Sequence, residues 1–221
     1  MNKQKLIIFG VGDIAQIAKY YFDTDSTLRV EGFTVDQAYV TEKTFEGLPV
    51  VPFEHVERIY PPAEFQLFIA VSYKKMNKFR EQKYIEGRQK GYALASYISS
   101  RCTYLSQHKP GDNCFIFENN TIQPFVKIGS NVTLWSGNHI GHHSTIEDHN
   151  FISSHVVVSG HCHIEPNCFL GVNATIHNNI RIARENLIGA GAIISQNTRP
   201  QEVYLPAKST LYTKKSNELK F

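Results

Sequence analysis

From residue 116 onward the chain carries a hydrophobic pattern with a period of six. Every sixth residue from Ile116 to Ile194 is isoleucine, leucine or valine, fourteen positions without a break. Two positions before each stands a residue that is mostly small or slender, from Cys114, Asn120 and Val126 to Ala174, Asn186 and Ala192, and the position after is often Gly, Ser, Glu or Ala. A period of six suits neither an α-helix nor a plain alternating strand. It suits short strands that turn a corner every hexad, three hexads (about 18 residues) closing one triangular coil. The pattern predicts a parallel β-helix over residues 99–198, with the aliphatic residues inside and the small ones filling the corners.

The first 98 residues follow a different rhythm. The apolar run 5–9 leads into Gly10-Val-Gly12-Asp13-Ile-Ala15, after which Ile14, Ile17, Ala18 and Tyr21 recur at helical spacing. This predicts strand, glycine turn and helix, in which the backbone can approach a phosphate at a helix N-terminus. A second strand over 28–35 ends in Asp36, placed to hydrogen-bond a ribose or base edge. A third over 65–71 ends at Ser72-Tyr73 and is followed by a basic amphipathic helix over 75–91 and a last strand over 93–98. The whole predicts a small α/β, Rossmann-like nucleotide domain over 1–98, with a C-terminal tail over 199–221. One βαβαβ-type half leaves no room for the rest of a dinucleotide, which argues against an NAD-dependent dehydrogenase and for a mononucleotide handle.

Composition narrows the field without redirecting it. A net charge of +3 from 23 basic and 20 acidic residues is too balanced to point to nucleic acid or a membrane surface. No stretch is long and apolar enough to span a bilayer, and the opening Met-Asn-Lys-Gln-Lys lacks a signal-peptide core, so a cytoplasmic protein is expected. Cys102, Cys114, Cys162 and Cys168 form no C-x-x-C pair and read as free thiols, three of them at the small interior hexad position.

Together the two halves resemble the sugar-nucleotide N-acetyltransferases of the bacillosamine and perosamine type, with their sialic acid O-acetyltransferase relatives. The resemblance rests on Ile7-Ile-Phe-Gly-Val-Gly12-Asp, Asn138-His-Ile-Gly-His142-His-Ser-Thr-Ile-Glu147, Cys168-Phe-Leu-Gly-Val-Asn-Ala-Thr175, Ile188-Gly-Ala-Gly-Ala-Ile193 and Pro206-Ala-Lys208. It implies a left-handed helix and a homotrimer, with acetyl-CoA between neighbouring prisms and a nucleotide-linked amino sugar held by the N-terminal domain, in the making of a bacterial surface glycan. It places the general base, a histidine two residues past a hexad aliphatic, at His142. Where the bacillosamine-type enzymes follow that histidine with glutamate this chain has His143, and where they carry a second histidine nine residues on it has Phe151.

The expected site residues follow from these readings. His142 takes the proton of the attacking amine, with His143 or a backbone carbonyl fixing its tautomer, and a backbone N–H from Gly160 meets the oxyanion. The nucleotide sugar is expected at Gly10, Gly12, Asp13, Asp36 and Ser72. Acetyl-CoA is expected along Gly160, Gly171, Asn173, Gly189 and Gly191, with Lys208, Lys214 and Lys215 near its phosphates. O-acetylation of a sugar and a non-catalytic trimeric scaffold are the rival readings.

Eight of the ten histidines fall in the hexad region. Trimeric prisms also occur as zinc carbonic anhydrases, but the resemblance there requires two ligand histidines five residues apart. No pair in this group has that spacing, so no metal is expected. Positions 143, 161 and 179 are separated by 18, so His143, His161 and Asn179 should stack on one ridge. His149, His163 and His177 read as solvated turn residues.

Overall fold

The structure, a computed structural model, describes residues 4–219; residues 1–3 and 220–221, the outer ends of the first and last segments, lie outside it. The N-terminal part forms a five-stranded sheet in the order β3-β4-β2-β1-β5. Its strands are β1 (Gln4–Phe9), β2 (Leu28–Val35), β3 (Thr44–Phe45), β4 (Leu48–Pro52) and β5 (Phe65–Ile69), and its helices are α1 (Asp13–Thr24), α2 (Val56–Ile59) and α3 (Lys78–Gln89). All neighbours are parallel except the β3–β4 hairpin. The central run Leu6-Ile-Ile-Phe9 is buried on both sides of the sheet, as expected of a parallel strand covered on both faces.

Three boundaries differ from the sequence reading. The helix expected from residue 75 begins at Lys78, because Lys75, Met76 and Asn77 sit in the left-handed region (φ 52°, 50° and 62°) and form a turn. The third strand ends at Ile69. The strand expected over 93–98 is reduced to a single bridge from Leu94 to Leu67, while Tyr97–Ile98 leaves the domain and pairs with Phe115–Ile116 as the first rung of the β-helix.

From that rung onward, two-residue strands stack in parallel into three faces. In this stack residues pair with those 18 positions on, as in Thr133↔Phe151, His139↔Val157 and Thr145↔His163, up to the last rung, where Leu187 pairs with Val203 and the step shortens to 16. The first face runs from Tyr97–Ile98 to Val203–Tyr204, the second from Thr103–Tyr104 to Ile193–Ile194, and the third from Lys127–Ile128 to Arg181–Ile182. The stacked parallel strands fit the left-handed β-helix expected. All fourteen hexad aliphatics are buried, together with the slender residues two positions before them. Among the described residues the third face has four strands, and single backbone bonds continue it at either end, from Gly111 N–H to the Ile128 carbonyl and from Thr198 N–H to the Arg181 carbonyl.

Each corner requires a left-handed residue. Every sixth position from Asn113 to Gly191 has positive φ, filled mainly by asparagine, histidine and glycine, the residue types that tolerate that region best. This explains His143, His149, His155 and His161: their backbone position selects histidine as well as any chemistry does.

The α/β domain packs on the first face and on the ridge between the third and first faces. Phe22, Phe68, Tyr97, Phe115 and Phe117 share one core cluster, and Trp135 stacks on Phe117 with centroids 4.7 Å apart. The Tyr21 hydroxyl donates to Glu118 at 2.7 Å and that of Tyr97 to Asp25 at 2.7 Å. Arg80 of α3 is 1% exposed and donates to the carbonyl oxygens of Asn131, His149 and Asn150 and to Thr133 and Asn77. Burial lowers its pKa to about 10, which still leaves it charged at neutral pH. Its planar fork reaches acceptors on two successive coils that no ammonium would span.

Arg80→Ala strips donors from several buried carbonyls at about 1–3 kcal/mol each. Calorimetry should show a lowered midpoint and separate melting of the two parts of the chain. An unchanged single transition would mean that this seam does not couple them.

Candidate active site

Two features of the fold assemble chemically capable groups. The first is a cavity of about 840 Å³ at the C-terminal edge of the parallel sheet, lined by Gly10, Gly12, Asp36, Tyr39, Lys74 and Lys75 among others. Gly10 has φ +129°, and a Cβ there would lie 2.6 Å from the Ala70 carbonyl oxygen, so the turn requires glycine. Gly12 is the N-cap of α1, and the unpaired N–H groups of that first turn make an anion-favouring end. Asp36 accepts a 2.6 Å hydrogen bond from Lys83, which also donates to Glu86. Burial opposes the charge on Lys83, but its two carboxylate partners outweigh that and hold it above the usual lysine range. Asp36 is thereby fixed in place at the cavity wall.

Of the nucleotide-site residues expected from sequence, the cavity brings together Gly10, Gly12 and Asp36. Asp13 begins α1 and Ser72 follows β5, and neither lines it. The cavity adds Tyr39, Lys74 and Lys75, which sequence reasoning did not assign. The signal for the lysines was their place just beyond the third strand, across the crevice from the glycine turn.

The second feature lies on the ridge between the second and third faces. His142 Nδ1 is 3.1 Å from His143 Nδ1, so one donates to the other. The His142 backbone N–H donates to Gln123 Oε1 at 2.8 Å. His143 is sandwiched between Phe125 (4.6 Å) and His161, which stacks on it at 4.8 Å and 12°. Desolvation and then the adjacent imidazoles of His161 and His142 hold His143 below the usual histidine range. His143 and His161 thus stack as the 18-residue spacing implied.

Gly160 belongs to this ridge in a different way from that expected. Its N–H already donates to Asn178 Oδ1 at 2.9 Å, so it does not point into open space as an oxyanion donor. A Cβ on Gly160 would lie 2.8 Å from His142 Cε1 and Nε2, so the missing side chain is what seats the His142 ring. Gly171 and Gly189 also have a packing reason. A Cβ on Gly171 would meet the Ala190 backbone nitrogen at 2.5 Å, and one on Gly189 the Tyr204 oxygen at 2.9 Å. These glycines admit the next coil rather than leave a channel. Asn173 and Gly191 occupy left-handed corners on the ridge between the first and second faces. Lys208, Lys214 and Lys215 are exposed in the tail.

Other histidines sort by position. His149, expected to be solvated, is partly buried at the domain seam, where its Nδ1 lies 2.8 Å from Asn131 Nδ2 and its ring 5.4 Å from that of Tyr84. His163 bonds Glu147 on the third face. His155 sits over Gly137 on the first–second ridge, away from His142. Phe151 is buried on the first face among Tyr73 and Phe169.

The two features lie on opposite sides of one chain. The α/β domain covers the first face, and the ridge carrying His142 is the corner opposite that face in a triangular section. The second face, between the His142 ridge and the Asn173 ridge, presents Thr121, His139, Val157, Thr175 and Ile193, an uncharged row. The third face presents Lys127, His163 and Arg181 with Glu147 and Glu165.

Residues 126–160 match the family described as bacterial transferase hexapeptide (six repeats). Among solved structures, the chain resembles the acetyltransferase domain of PglB from Neisseria gonorrhoeae FA1090 (TM-score 0.77, 18% identity, 90% of this chain and 95% of that one). It also resembles PerB from Caulobacter crescentus in complex with CoA and GDP-perosamine (TM-score 0.76, 18% identity, 92% and 96%). A third is WeeI from Acinetobacter baumannii AYE (TM-score 0.73, 19% identity, 89% and 93%). The fold is therefore shared with these proteins over 89–92% of this chain. No curated protein sequence matches the chain. No helix among the described residues is long and apolar enough to cross a membrane.

Gly160→Ala should displace the His142 ring and break its contact with His143 without unfolding the chain, since no left-handed backbone is needed at 160. Imidazole nitrogen resonances should shift for His142 and His143 while the melting temperature changes little. Unchanged resonances would show that the ring does not rest on this glycine.

Proposed function

We propose that the chain is an acetyl-CoA-dependent N-acetyltransferase acting on the amino group of a nucleotide-linked sugar, with the Rossmann-like domain as nucleotide handle. The observation that carries this reading is the His142–His143 pair on the second–third ridge, seated over Gly160. Its support is the fold shared with two acetyltransferase-type proteins, one of them in complex with CoA and GDP-perosamine.

The chemistry follows from the imidazole pair. With the Nδ1–H of His142 donated to His143, the Nε2 lone pair is free to accept a proton. The neutral sugar amine attacks the thioester carbonyl carbon, and Nε2 takes the N–H proton as the C–N bond forms. Collapse of the tetrahedral adduct breaks the C–S bond, and the proton on His142 passes to the departing thiolate. His143 occupies the orienting position that a carboxylate fills in the enzymes this chain resembles. The nucleotide lies in the 840 Å³ cavity, with its phosphates toward the α1 N-terminus and Lys74 and Lys75, and Asp36 toward the ribose or base.

Because that cavity and His142 lie on opposite sides of one chain, the sugar reaches the imidazole of a neighbouring copy. The uncharged second face suits packing of copies side by side into a homotrimer, with acetyl-CoA between prisms and ridge residues such as Asn173 and Gly191 lining its path. Light scattering should give three times the chain mass; a monomer would overturn this composite site.

The direct test is CoA thiol release with acetyl-CoA and a panel of UDP-, dTDP- and GDP-linked amino sugars. His142→Asn should lower kcat by roughly 10²–10⁴, the usual contribution of a positioned general base, with smaller changes in either KM. His143→Asn should cost less, because water can share an orienting role. Near wild-type turnover in His142→Asn would refute the assignment.

A further inference from the structure

We infer that His142, His143 and His161 form a binding site for a divalent transition-metal ion of the zinc class. One ring nitrogen from each lies within 4.8 Å of the other two, and among the described residues this is the group of histidine, cysteine and carboxylate side chains close enough to share an ion. Imidazole suits zinc, copper and nickel, and three imidazoles with an open fourth position make a familiar zinc environment.

The geometry is near what a metal requires. Ligand bonds of about 2.0–2.1 Å in a tetrahedral arrangement put two nitrogens about 3.3 Å apart. His142 Nδ1 and His143 Nδ1 are already 3.1 Å apart, sharing one proton. A metal that takes the place of this proton requires a rotation of the two rings so that both lone pairs converge on it, and the proton moves by exchange with solvent from Nδ1 to Nε2 of the same neutral imidazole, with no net proton released. His161, its ring centroid 4.8 Å from that of His143 and 5.1 Å from that of His142, supplies the third nitrogen by tilting out of the stack about its exposed side-chain bonds.

The backbone holds all three residues. His142 is fixed through Gln123, His143 donates its N–H to the Pro124 carbonyl, and His161 donates its N–H to the His142 carbonyl at 2.9 Å. The left-handed corner conformation, φ 60° at His143 and 59° at His161, aims the side chains of successive coils the same way. Phe125 closes one end of the stack. The linear spacing test for a zinc pair misses this site because its ligands are one and 18 residues apart, brought together only by closure of a coil.

Occupancy has a consequence for transfer that rests on the reading of His142 as the base. A neutral imidazole that ligates a metal through Nδ1 carries its proton on Nε2, the atom proposed to accept the proton of the amine. The ion would thus inhibit by tautomer exchange at the base itself.

Zinc chloride titrated into the full-length protein by calorimetry should bind at one ion per chain, and cobalt(II) should give visible absorption bands of tetrahedral intensity. His161→Asn should weaken zinc binding at least tenfold while the circular dichroism spectrum stays native. In the thiol-release assay zinc should inhibit wild type reversibly on addition of EDTA, and inhibit His161→Asn far less, each compared with its own zinc-free rate. No binding at 100 µM zinc, or equal binding by His161→Asn, would overturn the site. Binding at one per chain without inhibition would leave the metal site standing and remove the tautomer argument.

Discussion

The ladder that pairs residues of one coil with those 18 positions further on constrains the rest of this chain. A two-residue strand has too few hydrogen bonds to persist alone, and it exists here because identical strands lie above and below it in register. Register then dictates side chains. The inward position must be aliphatic on every coil, the position two before it must be slender, and the corner must accept a left-handed backbone. Glycines such as Gly141, whose added Cβ would meet the Ser159 carbonyl carbon at 2.5 Å, mark where coils come closest. One repeating geometry therefore explains core, corners and close contacts together.

The same register turns a one-dimensional repeat into a chemical surface. Residues in equivalent places on successive coils stack, so Phe125, His143 and His161 become a column of rings, while Lys127, His163 and Arg181 make a charged third face. The histidines at corners are there in part because the backbone tolerates few residue types. What distinguishes His142 from them is its place one residue before a corner, where it can bond to His143 and lie over Gly160.

How the α/β domain is fastened decides what the two features can do together. Arg80 ties α3 to two coils, and the aromatic cluster from Phe22 to Phe117 covers the first face. The cavity with Gly10 and Asp36 is consequently held on one side of the prism and the histidine column on the other. A single chain therefore does not bring the cavity and the column together.

The β-helix was legible in the sequence almost residue by residue, because a buried position repeated fourteen times leaves a periodic trace that needs no tertiary information. The glycine turn and Asp36 were legible for a similar local reason: a tight turn at a strand end requires glycine. The corner register was also written in the chain, as Asn, His or Gly at most sixth positions from 113, and went unread because polar residues at turns look unremarkable one at a time. Other features could not be read at all. Gly160 as the seat of the His142 ring, Gly171 as a coil contact, His149 as a seam residue and Tyr97–Ile98 as the first rung each depend on which atoms lie one coil away or across the domain interface. Sequence alone determined the fold and the neighbourhood of its candidate chemistry, since both follow from local spacing; tertiary structure decided which nitrogen, which N–H and which face is free, since those depend on contacts between residues far apart along the chain.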